Sequence, residues 1–70
     1  MPIISARKLR NAMLRQGLTV STCAIKAGLS PSHVSNLLKG DKTAQFSTVT
    51  KLAKLFGIDP VTLIVDEPNP

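Results

Sequence analysis

The sequence predicts an all-α fold, a compact bundle of five short helices. Three observations carry that reading. Gly17, Gly28, Gly40 and Gly57 each close an apolar-periodic segment, as helix-terminating glycines do. Pro31 and Pro60 each follow a hydrogen-bonding residue, Ser30 and Asp59, which is the pattern of a capped helix start. No stretch alternates apolar and polar residues for long, and no Asn-Gly or Asp-Gly hairpin turn occurs. Seventy residues hold only one core. Residues 1–66 are therefore expected to form a single domain. Residues 67–70 are expected to be a frayed C-terminal tail, since Pro68 and Pro70 cannot continue a helix.

The first helix is expected from about Ser5 to Gln16. It buries Leu9, Ala12 and Met13 and leaves Arg7, Lys8, Arg10 and Arg15 in water. The second runs from about Val20 to Ala27 with Thr19 as its cap, and Cys23, Ala24 and Ala27 face inward. The third has the sharpest start, with Ser30 capping it and Pro31 at its first position. It buries Val34, Leu37 and Leu38 and stops at Gly40. The fourth runs from about Ser47 to Phe56 and buries Val49, Leu52, Ala53 and Phe56. The fifth is short: Asp59 caps it, Pro60 opens it, and Leu63 and Ile64 pack back.

Composition narrows the function. One cysteine, Cys23, forms no internal disulfide, and one histidine, His33, cannot complete a zinc site with it. Neither a metal nor another cofactor is expected. Cys23 sits at a core position and is read as a small hydrophobe. The longest apolar runs are a few residues, against about 20 needed to cross a membrane. Met1–Ser5 lacks the basic and apolar segments of a signal peptide, so a cytoplasmic location is expected. Paired acids, a nucleophile–histidine pattern and a glycine-rich phosphate loop are all missing, so the chain does not read as an enzyme.

Charge points to a partner. The nine lysines and arginines all precede residue 59, with Asp41 the one acid among them. Asp59, Asp66 and Glu67 follow. A basic body with an acidic end favours a polyanion, although a solvated basic surface accounts for charge alone.

The second and third helices are joined by only Gly28-Leu29-Ser30. Two short helices on such a turn must cross steeply. Ala24 is small where the crossing is close, and Gly28 tolerates the positive φ that opens the turn. Leu29 plugs the gap between the helices, and Val34 and Leu37 anchor the third helix from beneath.

The stretch GLTVSTCAIKAGLSPSHVSNLLKG resembles the helix-turn-helix of the lambda-repressor-like, or Cro/XRE, family. The following TVTKLAKLFGIDPVTL resembles the family's fourth and fifth helices, so the resemblance covers about residues 5–65. Three features depart from the pattern. Val20 stands where a glutamine often touches a phosphate. Ser21 and Thr22 replace an acidic first turn. Met13 and Leu38 stand where many members pair an arginine with a glutamate, and an apolar contact is expected to replace that pair.

The resemblance implies that the third helix enters the major groove of double-stranded DNA. Ser30, Pro31, Ser32 and Asn36 match its base-contacting positions. Pro31 offers an apolar surface to a thymine methyl. Asn36 is the specificity candidate, because its amide can bond adenine N6 and N7 together; otherwise it is an exposed helix-surface amide. His33 shares the face, either contacting DNA or standing idle at the surface. Lys39, Lys42, Thr19 and Ser35 are candidate phosphate contacts, with Arg10 or Arg15 approaching from the first helix. Val61, Ile64 and Val65 form the expected surface of a homodimer.

The implied function is a sequence-specific transcriptional regulator, a dimeric repressor reading a palindromic operator and associated with the nucleoid by DNA binding. Phage Cro-like repressors, restriction-modification controllers and antitoxins all resemble this architecture. The rival reading is a protein-interaction module or antitoxin-type partner protein built from the same helices.

Overall fold

The computed structural model describes residues 2–65. Its elements are β1 (Ile3–Ile4), α1 (Ala6–Arg15), α2 (Val20–Ala27), α3 (Pro31–Leu38), β2 (Lys42–Thr43), α4 (Phe46–Phe56) and a 3-10 turn (Pro60–Leu63). Four α-helices form among the described residues, not five. The expected tail at 67–70, together with residue 66, lies outside the described residues.

Side-chain caps start the helices where the sequence places them. Ser5 Oγ accepts the Lys8 N–H at 3.2 Å. Thr19 and Thr22 each accept the other's backbone N–H, a reciprocal capping box. Ser30 Oγ accepts the His33 N–H at 3.1 Å, and Pro31 follows it in the first turn. The fourth helix is the exception. It begins at Phe46, not Ser47, and its leading residue Gln45 makes no side-chain cap bond.

The ends of α1, α2 and α4 share one motif. At α2, Gly28 takes φ +74°, its N–H donates to Ile25 O, and the Leu29 N–H reaches back to Ala24 O at 2.8 Å. Gly17–Leu18 and Gly57–Ile58 repeat that pair of bonds. The expected stop at Gly40 is different. Here α3 ends at Leu38, Lys39 follows in right-handed geometry, and Gly40 is not among the positive-φ glycines. The chain bends through Lys39 and Gly40 toward β2, and the α3 terminus is satisfied from elsewhere.

The core collects Leu9 and Met13 of α1, Cys23 and Ala24 of α2, Val34 and Leu37 of α3, and Leu52 and Phe56 of α4. Ala12 and Leu38, expected inside, are half-buried and pack against this cluster. Met13 and Leu38 therefore join one apolar cluster. The polar tie between their helices comes from a different residue, Arg10.

Strands are the feature the sequence did not announce. Ile3 pairs with Thr43 and Ile4 with Lys42, antiparallel. Ile4 also bridges to Ile64, and the Val65 N–H donates to Ile3 O at 2.8 Å. This pairing explains the missing fifth α-helix. The Asp59 carboxylate does accept the Val61 N–H at 3.0 Å, and Pro60 does open the turn. The chain must then extend at Ile64 to meet β1, so only one 3-10 turn fits. Ile4 is completely buried as a result.

Two outcomes follow. A Cβ at Gly28 or at Gly40 would meet nothing within 4 Å, so sterics do not separate the two sites. Backbone conformation does. Gly28→Ala is expected to lose about 1–2 kcal/mol of unfolding free energy, and Gly40→Ala close to none, in urea titrations. Burial pushes the Cys23 thiol above its ordinary pKa. Native protein should therefore react with an aromatic disulfide reagent far more slowly than urea-unfolded protein at the same pH.

Candidate nucleic-acid interface

Helix α3 is held by its underside. Val34 and Leu37 are buried and Leu38 half-buried, while Ser32, Asn36 and Lys39 on the opposite side are exposed. Residues four and then three apart in a helix share a face, so these three form one outward stripe. Pro31, Ser32, Ser35, Asn36 and Lys39 line a single shallow depression, and Val20 at the start of α2 completes it. Five residues singled out from the sequence thus converge. Val20 is the one lining residue that sequence reasoning did not name as a candidate contact. Its signal was present, since an apolar residue stands there in place of the family's glutamine.

Other candidates are placed differently. His33 is half-buried and does not line the depression. Ser30 Oγ accepts one bond as the α3 cap, leaving its hydroxyl proton and a second lone pair. The Thr19 and Thr22 hydroxyls lie 3.0 Å apart within their capping box. What the two helix starts present instead is backbone. The Val20, Ser21 and Ser32 amides have no intramolecular acceptor among the described residues. Free amides at the positive end of a helix dipole suit an anion.

The basic residues divide into two groups. Arg10 Nη2 donates to Leu38 O at 2.9 Å, which places its charge at the C-terminal end of α3 beside Lys39. A cation there also opposes the negative end of the helix dipole. Lys42 is exposed on β2, a few residues further along. Arg15 lies elsewhere, lining a hollow between α1 and the 3-10 turn together with Ile58 and Val61. Asp41, the single acid before residue 59, accepts the Ala6 N–H at 3.1 Å. Its charge therefore sits on the positive end of α1.

The three residues expected at a dimer surface also separate. Val61 is 61% exposed. Ile64 is half-buried, packs on the core and pairs with Ile4. Val65 is half-buried and hydrogen-bonded to Ile3. Ile64 and Val65 thus have intramolecular roles in the folded chain, and Val61 is exposed near Ile58, while Leu14, Ile25 and Phe46 are exposed apolar side chains elsewhere.

Among the described residues no helix is long and apolar enough to cross a membrane, and no group of three or more His, Cys, Asp or Glu side chains is placed to hold a metal ion.

Comparisons with known proteins match the helix-turn-helix fold. A family model described as a helix-turn-helix domain matches residues 6–63. No curated protein gives a significant match. The restriction-modification controller protein C.AhdI from Aeromonas hydrophila superposes with a TM-score of 0.75 at 28% identity, covering 81% of this chain and 86% of that one. A mutant of hydroxyethylphosphonate dioxygenase superposes at 0.80 with 26% identity, covering 94% of this chain. HEPD of Streptomyces albus, with 2-hydroxyethylphosphonate and Fe(II) bound, also reaches 0.80, with 27% identity over 86% of this chain. The chain spans only 14% of each of those enzyme chains.

The two basic residues at the α3 terminus should respond differently to truncation. Arg10→Ala removes the bond to Leu38 and is expected to lower stability by about 1 kcal/mol or less in urea unfolding. Lys39→Ala should leave unfolding unchanged. It should weaken binding to all duplex sequences alike and reduce the salt slope by about one.

Proposed function

The chain belongs to the helix-turn-helix domain family, and on that premise we propose that it is a sequence-specific, DNA-binding transcriptional regulator of the Cro/XRE type. Helix α3 reads base edges in the major groove, and a homodimer of the chain acts as a repressor at a palindromic operator. The observation that carries this reading is the outward stripe of α3. Ser32, Asn36 and Lys39 project from a helix whose other side is fully anchored, and they share one depression with Ser35 and Pro31. The hydroxyl and amide groups of this stripe suit base edges, and the Lys39 ammonium suits a phosphate.

The roles follow from chemistry. Asn36 bonds adenine with its amide oxygen and nitrogen, a pairing worth about 1–3 kcal/mol of discrimination. Ser30 and Ser32 donate or accept at neighbouring bases, and His33 reaches toward the groove wall. Lys39, Lys42 and Arg10 lie near the phosphates beyond the α3 terminus. The Val20 and Ser21 amides, beside Thr19, face a phosphate at the start of α2. Ser35 holds the backbone flank, and Arg15 stays apart from this surface.

One domain reads few base pairs, so useful specificity requires two half-sites about one helical turn apart. Exposed Val61 and Ile58 offer an apolar surface to a second copy, and Ile64 and Val65 contribute only what their own pairing with β1 leaves open. The similarity to a restriction-modification controller favours a regulator over an enzyme, and a cytoplasmic location is part of the same reading.

Selection from random duplexes near physiological salt, followed by sizing of the complex, tests the proposal. The expected result is an enriched palindrome carrying two chains. Asn36→Ala should then lose its preference at one base pair in each half-site. Binding without enrichment, or enrichment unaffected by Asn36→Ala, contradicts the assignment.

A further inference from the structure

Two of the six residues lining the α3 depression cannot hydrogen-bond through their side chains. They are Val20 and Pro31. Val20 is half-buried: part of it packs on the core cluster, and the rest opens into the depression. Pro31 is exposed at the start of α3 and has no N–H to offer. Both groups are stiff. A helical valine keeps one χ1 rotamer, and the proline ring is closed. Their four neighbours are two hydroxyls, an amide and an ammonium group, all suited to base edges or phosphate.

An apolar spot inside a polar interface calls for an apolar partner. Against a base carbonyl or amino group it would strip water and return no hydrogen bond. The major-groove edge of DNA carries one common apolar group, the C5-methyl of a pyrimidine. We infer that Val20 and Pro31 together form a preformed seat for a pyrimidine C5-methyl group, so that α2 contributes directly to sequence reading. The inference rests on the proposal that α3 occupies the major groove. It adds a specificity determinant on the preceding helix, at a position where the family pattern provides a phosphate contact. Thymine and 5-methylcytosine carry the same methyl, and binding distinguishes which source is used.

The test uses the intact protein and the duplex obtained by selection. Each thymine is replaced singly by uracil, which deletes the methyl and keeps every hydrogen-bonding group. In parallel, each cytosine is replaced by 5-methylcytosine. Wild-type protein should lose about fourfold in affinity for uracil at one position per half-site, the value of one buried methyl group. Gain of about that size from one 5-methylcytosine, with no thymine effect, would assign the seat to methylated cytosine instead. In either case the methyl effect should shrink below twofold in both Val20→Ala and Pro31→Ala. Pro31 is exposed, so its variant remains informative if loss of Val20 disturbs packing. Sequence-specific binding with no methyl effect overturns the inference and leaves the DNA-reading proposal standing. So does a methyl effect undiminished in both variants. Failure to select any sequence overturns both.

Discussion

The left-handed backbone of Gly28 is the constraint on which the rest of the molecule depends. With φ at +74°, the chain leaves α2 abruptly, and the Leu29 amide closes back on Ala24. Only two further residues separate this glycine from α3. The new helix must therefore cross α2 closely, and the small buried residues Ala24 and Ala27 on α2 leave room for such an approach. Leu29 fills the space beneath the turn. Once Val34 and Leu37 are drawn into the core, the geometry of the helix forces Ser32, Asn36 and Lys39 outward. The surface proposed to read DNA is thus a by-product of how α3 is anchored.

Helix α1 stabilises that arrangement through its polar side chains as much as through Leu9 and Met13. Arg10 donates to the end of α3 at Leu38, Gln16 to the end of α4 at Phe56 O (3.1 Å), and Lys8 to Ile64 O (3.1 Å). In return, Asp41 satisfies the first amide of α1. Carbonyls left over at helix ends are thereby matched by donors from one helix. For a domain with so little surface to bury, such ties matter more than in a large one. They also bind function to fold, since Arg10 holds the terminus of the same helix whose flank meets the phosphates in the proposed complex.

What the sequence made legible was local. Thr19, Ser30 and Pro31 mark helix starts within a turn of themselves, and Gly28 and Gly57 mark ends the same way. These signals placed α2 to the residue and α1 and the start of α3 nearly so, while the family resemblance singled out Pro31, Ser32, Ser35, Asn36 and Lys39, which the folded chain brings to one depression. What escaped was made by distant partners. β1 exists because Ile3 and Ile4 meet Lys42, Thr43 and Ile64, and two-residue strands carry no periodicity of their own. Gly40 resembled the other glycines in sequence, but the α3 terminus is served by Arg10 from 28 residues away. The fifth helix shortened because its last residues were needed for pairing. Thr19 and Ser30, read both as caps and as DNA contacts, do cap their helices. Val20 was visible only as a departure from pattern until the depression beside Pro31 gave it a place.

The central claim is that the α2 start and the outer face of α3 form the DNA-binding surface. Titrating 15N-labelled protein with its selected duplex and following every backbone amide tests it most directly. The account predicts the largest shifts at Val20, Ser21 and Ser32–Asn36 and at Lys39, with small ones around Arg15, Ile58 and Val61 at a fixed oligomeric state. Shifts centred on Arg15 and the hollow beside the 3-10 turn, with α3 unmoved, would contradict it.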